Sequence, residues 1–531
     1  MCLKIGQRQY LAMTLIVVIL LVTSSSIPRS QIDSSNSNHS SKHSQSIASS
    51  QVIEGDTLLV SEWIIVETGT ELIIDNSTIV FIQDEIAIVV QDGGILSIQD
   101  SLLYSYPSCS WWISAEDGAE LTIEGSTLTG SGTNTHGGIN VGCDNAVIDN
   151  CHISEFGGDG INIGDCTGVR VENNIVTLCT NEGIDFARTS DLIISGNQIS
   201  DCGYCGIYGT GSVDVIIRRN NVSTTTYSGV CLNHATASEV TSNIFSETGL
   251  SSIEIEYCDN IEVSNNTVLT SYGCGIISIW STNLLLKFND IRETVYDGIN
   301  LFTHSQNISV VGNEFHDIYS CAIVSDLSSN VFVYGNLMDG IRQSGLDGKG
   351  DSENITAIMN TMLDCGTGFN FVDAKNIQVA GNWVNDSKNH DINVENCWEG
   401  LVYMNAFCSS DIDIGHVGTN LFDWDNQTMG NYWMDYDGED EDQNGIGDTP
   451  YGISYGYQDN YPLMSLDPIH DFRTSYNISA YFWNADEITN ETVINTSTVD
   501  TQIETLLVFN ASIQIFCVGV LLIILKRRYA T

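Results

Sequence analysis

Basic residues are scarce in this chain of 531 residues. The sequence contains 18 Lys and Arg against 67 Asp and Glu, which gives a formal net charge of −49 at pH 7. A chain this acidic repels phosphate groups, so the composition excludes nucleic acid as a partner. The same balance of charge fits an exterior that is rich in salt or in cations.

Long apolar runs are also scarce, and two of them lie at the ends of the chain. Residues 11–22 follow Lys4 and Arg8 and precede a Thr/Ser stretch, which is the pattern of a secretory signal peptide. An uncleaved anchor is the alternative, although this run is short for a membrane span. Residues 506–525 end in a basic cluster and predict one membrane crossing with the tail inside. We therefore expect a single-pass cell-surface protein with an extracellular N-terminal domain and a cytoplasmic C-terminus.

What the chain does contain is the pair Gly-Ile, or a close variant, at a nearly fixed step. The pair begins at positions 138, 160, 183, 206, 229, 252, 275, 298, 322, 345, 368 and 391. A fixed period of this size predicts stacked coils rather than a globular core. Within each repeat apolar and polar residues alternate, and Gly, Asn and Asp mark the turns, as in short strands. Three short strands in about 23 residues predict an all-β parallel β-helix.

An asparagine follows the second strand of each repeat and supports this interpretation. It occurs at Asn174, Asn197, Asn220, Asn243, Asn266, Asn289, Asn313, Asn336, Asn360, Asn382 and Asn405. Amides stacked at one turn can bond to each other and to the backbone, so we predict a buried ladder. A second column is predicted at the start of the second strand, at Asn260, Asn283, Asn307, Asn330, Asn354 and Asn376.

Composition divides the chain into seven predicted segments. They are a signal peptide at 1–26, a Ser-rich linker at 27–50, the β-helix at 51–425, a C-terminal segment at 426–470, a stalk at 471–505, a transmembrane helix at 506–525 and a tail at 526–531. Sequons for N-glycosylation open at Asn76, Asn221, Asn307, Asn354, Asn385, Asn426, Asn477, Asn490 and Asn495. Three of these sequons lie in 471–505, which suggests a glycosylated stalk. The sixteen cysteines leave two possibilities open, disulfides or a ladder of free thiols inside a turn.

An acidic loop in the C-terminal segment predicts a structural calcium site. Oxygen-bearing side chains stand at positions 1, 3, 5 and 9 of the loop and Gly445 stands at position 6, as in an EF-hand loop. The predicted ligands are Asp440, Asp442, Asn444, Ile446 through its carbonyl, and Asp448. Position 12 is Tyr451, so the usual bidentate acid is missing, and a solvated acidic turn is the alternative.

The outward residues of the first strand form the candidate active face, because one column repeats through the coils. Asp159, Glu182 and Asp185 are the candidate catalytic carboxylates, and Asn162 lies beside them as a candidate substrate ligand. Stacked side chains ~5 Å apart and columns ~10 Å apart lie near the carboxylate separations used in glycoside hydrolysis. Ordinary turn chemistry of Asp and Asn beside Gly is the alternative.

Further side chains on this face are candidates for binding a sugar. Tyrosine presents an apolar ring with a polar hydroxyl, which suits contact with a sugar ring. The substrate-binding candidates are Tyr204, Tyr208, Tyr227, Asn300 and Asp347. His234 and Cys258 occupy the turn after the first strand on adjacent coils, but too few soft ligands lie near them, so copper is not expected.

The coil motif and the asparagine ladder resemble the right-handed parallel β-helix of pectate lyases, polygalacturonases and NosD-like proteins. The stretch 430–436, the acidic loop and the stretch 447–464 are similar to the end of NosD-like archaeal surface proteins. The resemblance implies a carbohydrate-binding or sugar-hydrolase type of β-helix on an exported protein. Of the polygalacturonase motifs, only the first is echoed, at 181–185. Pectate lyases need a basic residue near calcium carboxylates, and Lys349 beside Asp347 and Asp351 is the one local candidate.

Four functions remain open on these grounds. We favour binding of a polysaccharide or surface glycan without catalysis, with calcium stabilising the C-terminal segment. A polysaccharide lyase, hydrolase or epimerase is the first alternative. A structural or adhesive surface protein and a NosD-like copper-enzyme maturation factor are the others.

Overall fold

The computed structural model describes residues 44–130, 137–409, 415–417, 422–453 and 456–475. Its strands form three parallel sheets, here called faces A, B and C, and each coil contributes one strand to each face. The all-β parallel β-helix with coils of about 23 residues is confirmed. The first strand, Ser44–Ile47, lies inside the segment predicted as a linker.

Face A contains the first strand of each coil. Its strands are Ser44–Ile47, Trp63–Val66, Ile86–Val90, Trp111–Ala115, Ile139–Val141, Ile161–Gly164, Ile184–Ala187, Ile207–Thr210, Val230–Asn233, Ile253–Glu256, Ile276–Ile279, Ile299–Phe302, Ile323–Asp326, Ser344–Lys349, Thr367–Val372, His390–Glu395 and Gly415–Val417. Equivalent residues of successive coils pair directly, as Ile161 does with Ile184. The 23-residue step therefore brings equivalent side chains into contact.

Faces B and C contain the second and third strands. Face B contains Gln51–Glu54, Glu71–Asp75, Ile95–Gln99, Glu120–Glu124, Val147–Asp149, Arg170–Glu172, Ile193–Ser195, Ile216–Arg218, Thr236–Thr241, Asp259–Ser264, Thr282–Lys287, Gln306–Val311, Ser329–Tyr334, Glu353–Ile358, Lys375–Ala380, Trp398–Tyr403 and Phe422–Asp423. Face C contains Thr57–Val60, Thr78–Phe81, Leu102–Ser105, Thr127–Thr129, His152–Ser154, Ile175–Thr177, Gln198–Ser200, Asn221–Ser223, Ile244–Ser246, Thr267–Val268, Asp290–Arg292, Glu314–His316, Leu337–Asp339, Thr361–Leu363, Trp383–Asn385, Ala406–Phe407 and Tyr432–Trp433.

The interior is a continuous column of aliphatic and aromatic side chains. Ile161, Ile184 and Ile207 have no exposed surface, and the same holds for most inward positions. Each such side chain gains roughly 1.5–3 kcal/mol on burial relative to exposure. Alternation along the strand leaves the residue between two inward ones on the outside, where it is available for contacts with a ligand.

The predicted asparagine ladder is confirmed and fully buried. Asn243 Nδ2 donates to Asn266 Oδ1 at 3.0 Å and to the Ile217 carbonyl oxygen at 2.9 Å. The residue before each ladder position turns the chain sharply, with a positive φ such as 56° at Ser242. Asn431 continues the ladder beyond Asn405, through a bond of 2.9 Å between their amides.

The second predicted asparagine column is also confirmed, and it is exposed. Asn307 Nδ2 donates to Asn283 Oδ1 at 3.0 Å, and Asn330 Nδ2 donates to Asn307 Oδ1 at 2.9 Å. Asn354 and Asn376 extend the same chain of amides. Two predicted sequons therefore open at residues whose amides bond within this column, Asn307 and Asn354.

The choice between disulfides and free thiols is settled for the described residues. All fourteen cysteines there are free, and twelve of them are buried. Cys166 and Cys258 belong to a buried column of small residues in the turn after face A, where the Cys258 backbone N–H donates to Ser281 Oγ at 3.1 Å. Burial is the main cause that raises the pKa of Cys143 to about 11. These thiols fill space inside a turn.

The C-terminal residues pack back against the coils. A short antiparallel pair, Tyr451–Gly452 and Gln458–Asp459, precedes helix α1, Asp467–Ser475. Arg473 Nη1 in α1 donates to the Gly381 carbonyl oxygen at 2.9 Å.

The predicted membrane topology needs correction. In the part of the chain that the structure describes, no helix is long and apolar enough to cross a membrane, and α1 has only nine residues. A helix of this length rises ~14 Å, which is far short of a bilayer core. The single-pass cell-surface topology is therefore not supported. The predicted signal at 1–26, the span at 506–525, the tail at 526–531 and most of the stalk lie outside the described residues.

Candidate functional site

One outward column runs along face A, and its residues vary from coil to coil. Direct strand pairing places its members in register. In order they are Ser114, Asn140, Asn162, Asp185, Tyr208, Cys231, Glu254, Ile277, Asn300, Val324, Asp347, Asn370 and Asn393. We call this series the outer column. Carboxyl, amide, hydroxyl and apolar groups alternate along it.

The predicted acidic patch does come together. Asp185 pairs directly with Asn162 on the neighbouring strand. Asp159 Oδ2 accepts a bond from Asn162 Nδ2 at 3.2 Å, and Asp159 Oδ1 accepts the Glu182 backbone N–H at 3.2 Å. Both carboxylate oxygens of Asp159 thus accept hydrogen bonds from neighbouring residues, which is a structural role. A catalytic role for these carboxylates stays a prediction.

A second polar cluster lies around Asp347. Lys349 Nζ lies 2.9 Å from Asp347 Oδ2, and Asn370 Nδ2 donates to Asp347 Oδ1 at 2.6 Å. Asp351, the other predicted neighbour of Lys349, pairs with Lys375 at 2.8 Å. Seven strand steps along face A separate Asp347 from Asp185, a distance of about 34 Å at the sheet spacing. Lys349 and Asp185 therefore cannot act on one sugar unit.

Asn300, a predicted substrate ligand, repeats the geometry of the first patch. Its Nδ2 donates to Asp297 Oδ2 at 2.8 Å, as Asn162 does to Asp159. Burial raises the pKa of Asp297, and the bonds from Ser320 and the Cys321 backbone oppose that shift.

Two glutamates in the middle of face A were not among the sequence candidates. Glu254 and Glu256 share the strand Ile253–Glu256, and both side chains point outward and are partly exposed. Burial raises the pKa of Glu254 to about 7; Ser228 Oγ, which donates to its Oε2 at 2.6 Å, opposes the shift and the Glu256 charge adds to it. Burial also raises the pKa of Glu256, which accepts Asn233 Nδ2 at 2.8 Å. Ile277 in the next coil pairs with Glu254 and supplies an apolar neighbour.

An aromatic row lies in the turn that enters face A. The rings of Tyr204 and Tyr227 stack at 5.1 Å with an angle of 16° between their planes. Tyr204 is 43% exposed. Tyr208 lies in the outer column instead, paired with Asp185. Two of the three predicted tyrosines thus lie beside the outer column, and the third belongs to it.

A second aromatic row lies in the turn that leaves face A. Ring centroids are 5.0 Å apart for His234 and Tyr257, 6.4 Å for Tyr257 and Trp280, and 4.5 Å for Trp280 and His304. Tyr257 is 44% exposed and Trp280 is 43% exposed. These residues follow the coil period at positions 234, 257, 280 and 304, so their spacing in the sequence indicates that they stack in one turn. Of these four residues, the sequence analysis considered only His234, and only as a possible copper ligand.

His234 and Cys258 both lie in the turn after face A on adjacent coils, as expected, but they belong to different columns. His234 stacks on Tyr257, whereas Cys258 Sγ accepts the Ala235 backbone N–H at 3.3 Å inside the turn. The two side chains therefore belong to an outward and an inward column. Throughout the described residues, no group of three or more His, Cys, Asp or Glu side chains is arranged to hold a metal ion.

The acidic loop is held by bonds from its own backbone. The Asn444 backbone N–H donates to Asp440 Oδ1 at 3.1 Å and to Asp442 Oδ1 at 3.2 Å. Asn444 Oδ1 accepts the Ile446 backbone N–H at 2.7 Å, and Asp448 Oδ2 accepts the Glu441 backbone N–H at 2.6 Å. The loop is ordered by these contacts, and calcium binding stays a prediction.

Two open depressions lie on face B rather than on face A. One of about 430 Å³ is lined by the exposed asparagine column and Phe332, and one of about 850 Å³ lies near Trp424 at the C-terminal end. The outer column of face A lines neither of these two depressions.

The family comparison agrees with the geometry. A family described as "Right handed beta helix region" matches residues 62–223, 205–356 and 251–399, which together cover more than half of the chain. No curated protein matches the sequence significantly.

Several solved structures are similar to this chain, at low identity and low TM-score. PfbA, a surface adhesin of Streptococcus pneumoniae, is 15% identical with a TM-score of 0.42 over 52% of this chain and 84% of that one. The periplasmic alginate epimerase AlgG is 13% identical, with a TM-score of 0.36 over 69% and 85%. The A-module of the Azotobacter vinelandii mannuronan C-5 epimerase AlgE6 is 11% identical, with a TM-score of 0.32 over 65% and 90%. At these values the similarities carry no argument about function.

Proposed function

The chain belongs to the right-handed β-helix family, and on that premise we propose that face A binds a polysaccharide or surface glycan. The main support for this proposal is that the two aromatic rows lie on either side of the outer column. The outer column, which lies between the rows, presents amides, carboxyls and hydroxyls, the groups that bond to sugar hydroxyls. Tyrosine and tryptophan add apolar area with a polar edge.

The repeat of the coils suits a ligand that is itself a repeating chain. Equivalent side chains recur at ~4.8 Å along the axis, so a linear ligand meets a new set of groups at each step. A long, shallow contact of this kind needs no deep cavity.

Charge favours a neutral glycan over a polyuronate. The outer side of face A contains Asp185, Glu254, Glu256 and Asp347, and Lys349 forms an ion pair with Asp347. Like charges brought together cost free energy, and the net charge of −49 repels polyanions at long range.

Affinity electrophoresis of residues 44–475 in gels containing laminarin, xylan or polygalacturonate tests the proposal. We expect retardation by a neutral polymer, and we expect the double variant Tyr257→Ala/Trp280→Ala to weaken it at least tenfold. Trp398→Ala removes an exposed ring from face B and serves as the matched control. If no polymer retards the protein, glycan binding is rejected and a structural role is favoured.

Calcium binding by the loop 440–448 is a separate proposal. Its support is that Asp440 and Asp442 both turn their carboxylates toward the Asn444 backbone, so oxygen ligands already line one loop. Melting with calcium and with a chelator is the test. An unchanged transition temperature rejects the site, and Asp442→Asn should abolish any shift that appears.

A further inference from the structure

We propose that the depression of about 850 Å³ at the C-terminal end of face B is a second ligand site, which binds a short neutral saccharide through the indole N–H of Trp424. The inference does not depend on the glycan binding proposed for face A, because no residue of the outer column lines this depression. It depends on three observations: a buried donor without an acceptor, an acceptor at the end of a chain of amides, and a lining that contains acidic but no basic residues.

Two parts of the chain line the depression. Gln378, Leu401 and Asp423 belong to three successive strands of face B and pair directly with one another. Residues 456–458 and Asn460 line it from the C-terminal segment. A ligand here would touch both the coils and the segment that packs back against them. The volume lies within the range of roughly 300–1,000 Å³ that is typical of sites for small ligands.

Trp424 supplies the unpaired donor. It lines the depression and is 1% exposed, and within the described residues its Nε1–H has no hydrogen-bond acceptor. Trp111 and Trp433 are comparably buried. Their Nε1 atoms each donate at 2.9 Å, to the Thr129 carbonyl oxygen and to Asp459 Oδ2 respectively. A buried donor without a partner costs free energy, which an acceptor atom of a ligand would recover.

The exposed asparagine column supplies an acceptor at the edge of the depression. Each amide of the column donates to the preceding one, and the last, Asn376, donates from Nδ2 to Asn354 Oδ1 at 2.6 Å. The next position in register is Glu399, and a carboxylate has no hydrogen to donate to Asn376 Oδ1. Asn376 Oδ1 is therefore the acceptor end of the chain of amides, and hydrogen bonds that run in one direction polarise the group at the end. Both Asn376 and Glu399 line the depression.

Hydrogen bonds hold the rim of the C-terminal segment in place. Asp425 Oδ2 accepts both the backbone N–H of Asn460 at 3.0 Å and its Nδ2 at 2.9 Å. Asn460 Oδ1 in turn accepts Gln458 Nε2 at 2.6 Å. These bonds orient the two amides before a ligand binds, which lowers the entropy lost on binding.

The lining favours a neutral ligand that is rich in hydroxyl groups. An amide both donates and accepts, as a sugar hydroxyl does. Five of the lining residues carry amides: Asn376, Gln378, Gln427, Gln458 and Asn460. None of the described residues that line the depression is Lys or Arg, whereas Glu399, Asp423 and Asp425 are acidic, so a phosphate or a uronate would be repelled. Leu401 and Tyr457 add apolar surface for contact with a sugar ring.

NMR of the full-length protein labelled with ¹⁵N-tryptophan tests the proposal. The neutral probes are cellotriose, laminaritriose and xylotriose, and trigalacturonate is the anionic probe. Trp424→Phe identifies the indole resonance of Trp424 among those of the nine tryptophans. We expect a neutral trisaccharide to move this resonance downfield, because the N–H gains an acceptor, and trigalacturonate to leave it unchanged. Trp424→Phe should weaken binding of the same trisaccharide, measured by calorimetry, about tenfold.

Matched variants separate the binding role from folding. Trp111→Phe truncates an equally enclosed ring far from the depression and should retain the affinity of the unaltered protein. Gln458→Ala changes an exposed side chain on the rim, so it should keep the fold and weaken binding at least about fivefold. Gln198→Ala, which changes an exposed glutamine on face C, is its control and should leave the affinity unchanged.

The outcomes distinguish this site from the one on face A. A Trp424 resonance that no neutral trisaccharide moves, or an affinity that Trp424→Phe leaves unchanged, overturns the site on face B and does not touch the proposal for face A. Loss of the shift in Tyr257→Ala/Trp280→Ala assigns the saccharide to face A and also overturns it. Equal affinity for trigalacturonate overturns the choice of a neutral ligand. A shift of Trp424 without retardation by any polymer supports this site and rejects only the one on face A.

Discussion

The asparagine ladder and the outer column of face A are two columns of the same coils with opposite character. The ladder repeats one residue from Asn174 to Asn405, and bonds between side-chain amides join each coil to the next. The outer column changes from Asn162 to Tyr208 to Glu254 within four strand steps. A buried polar group must be satisfied at every coil, whereas an exposed position is free to vary.

This difference separates stability from function along the same axis. Repetition holds the stack in register, because each ladder amide bonds to the coil below and the coil above. Variation in the outer column gives each coil a distinct chemical group toward a ligand. A substitution in the ladder should therefore change the free energy of unfolding, and one in the outer column should change binding or catalysis.

The largest expected effect is the loss of one ladder amide. Asn243→Ala removes the acceptor for the backbone and amide N–H groups of Asn220 and the donor to Asn266. Buried groups left without partners cost about 1–3 kcal/mol each, so we expect about 3–5 kcal/mol of destabilisation. Urea denaturation measures it. A loss below about 1 kcal/mol would contradict the role assigned to the ladder.

The next effect concerns the pH dependence of stability through Glu254. Its pKa of about 7 in the folded protein lies above the ordinary 4.5. The contribution of protonated Glu254 to the free energy of unfolding is therefore fully present below pH 4.5 and is lost as the pH rises through 7. The shift corresponds to about 3 kcal/mol. We therefore expect Glu254→Gln to stabilise the protein at pH 8 relative to its effect at pH 5. Denaturation of both proteins at the two pH values is the measurement, and an equal difference at both would reject the shift.

A smaller effect is expected where α1 packs on the coils. A Cβ at Gly381 would lie 2.6 Å from the Phe472 ring, whereas nothing lies near Gly335, which has nearly the same positive φ of 62°. Both substitutions to Ala cause the same backbone strain. Gly381→Ala should lower the free energy of unfolding by about 1–3 kcal/mol more, because the added methyl group overpacks against Phe472. Hydrogen exchange in 467–475 should rise only for Gly381→Ala. Similar exchange in both variants would show that α1 does not depend on this contact.

The smallest effect is expected in the exposed asparagine column. Asn330→Ala removes bonds to Asn307 and Asn354 that are of the same length as those of the buried ladder. Water replaces them at the surface, so the cost should stay below about 1 kcal/mol. The contrast with Asn243→Ala in urea isolates burial as the cause. Equal losses in the two variants would remove that explanation.

Sequence periodicity predicted most of the fold and part of the site. The step between Gly-Ile pairs predicted which residues stack, so Asp159, Asn162 and Asp185 were correctly placed together. It did not separate inward from outward residues in the turns, so it did not show that His234 faces outward while Cys258 faces inward. Nor did it predict that Lys349 pairs with Asp347 while Asp351 pairs with Lys375, because a choice between neighbouring carboxylates depends on side-chain direction.

The sequence by itself determined the coil, its period and its buried asparagine ladder, since each depends on a pattern repeated at every turn. Only the tertiary structure decided what is specific to this chain: that the two aromatic rows face outward, the surroundings of Glu254, and the packing of α1 against Gly381. Those features depend on contacts between coils and on which side of a turn a side chain leaves, and a repeat distance alone contains neither.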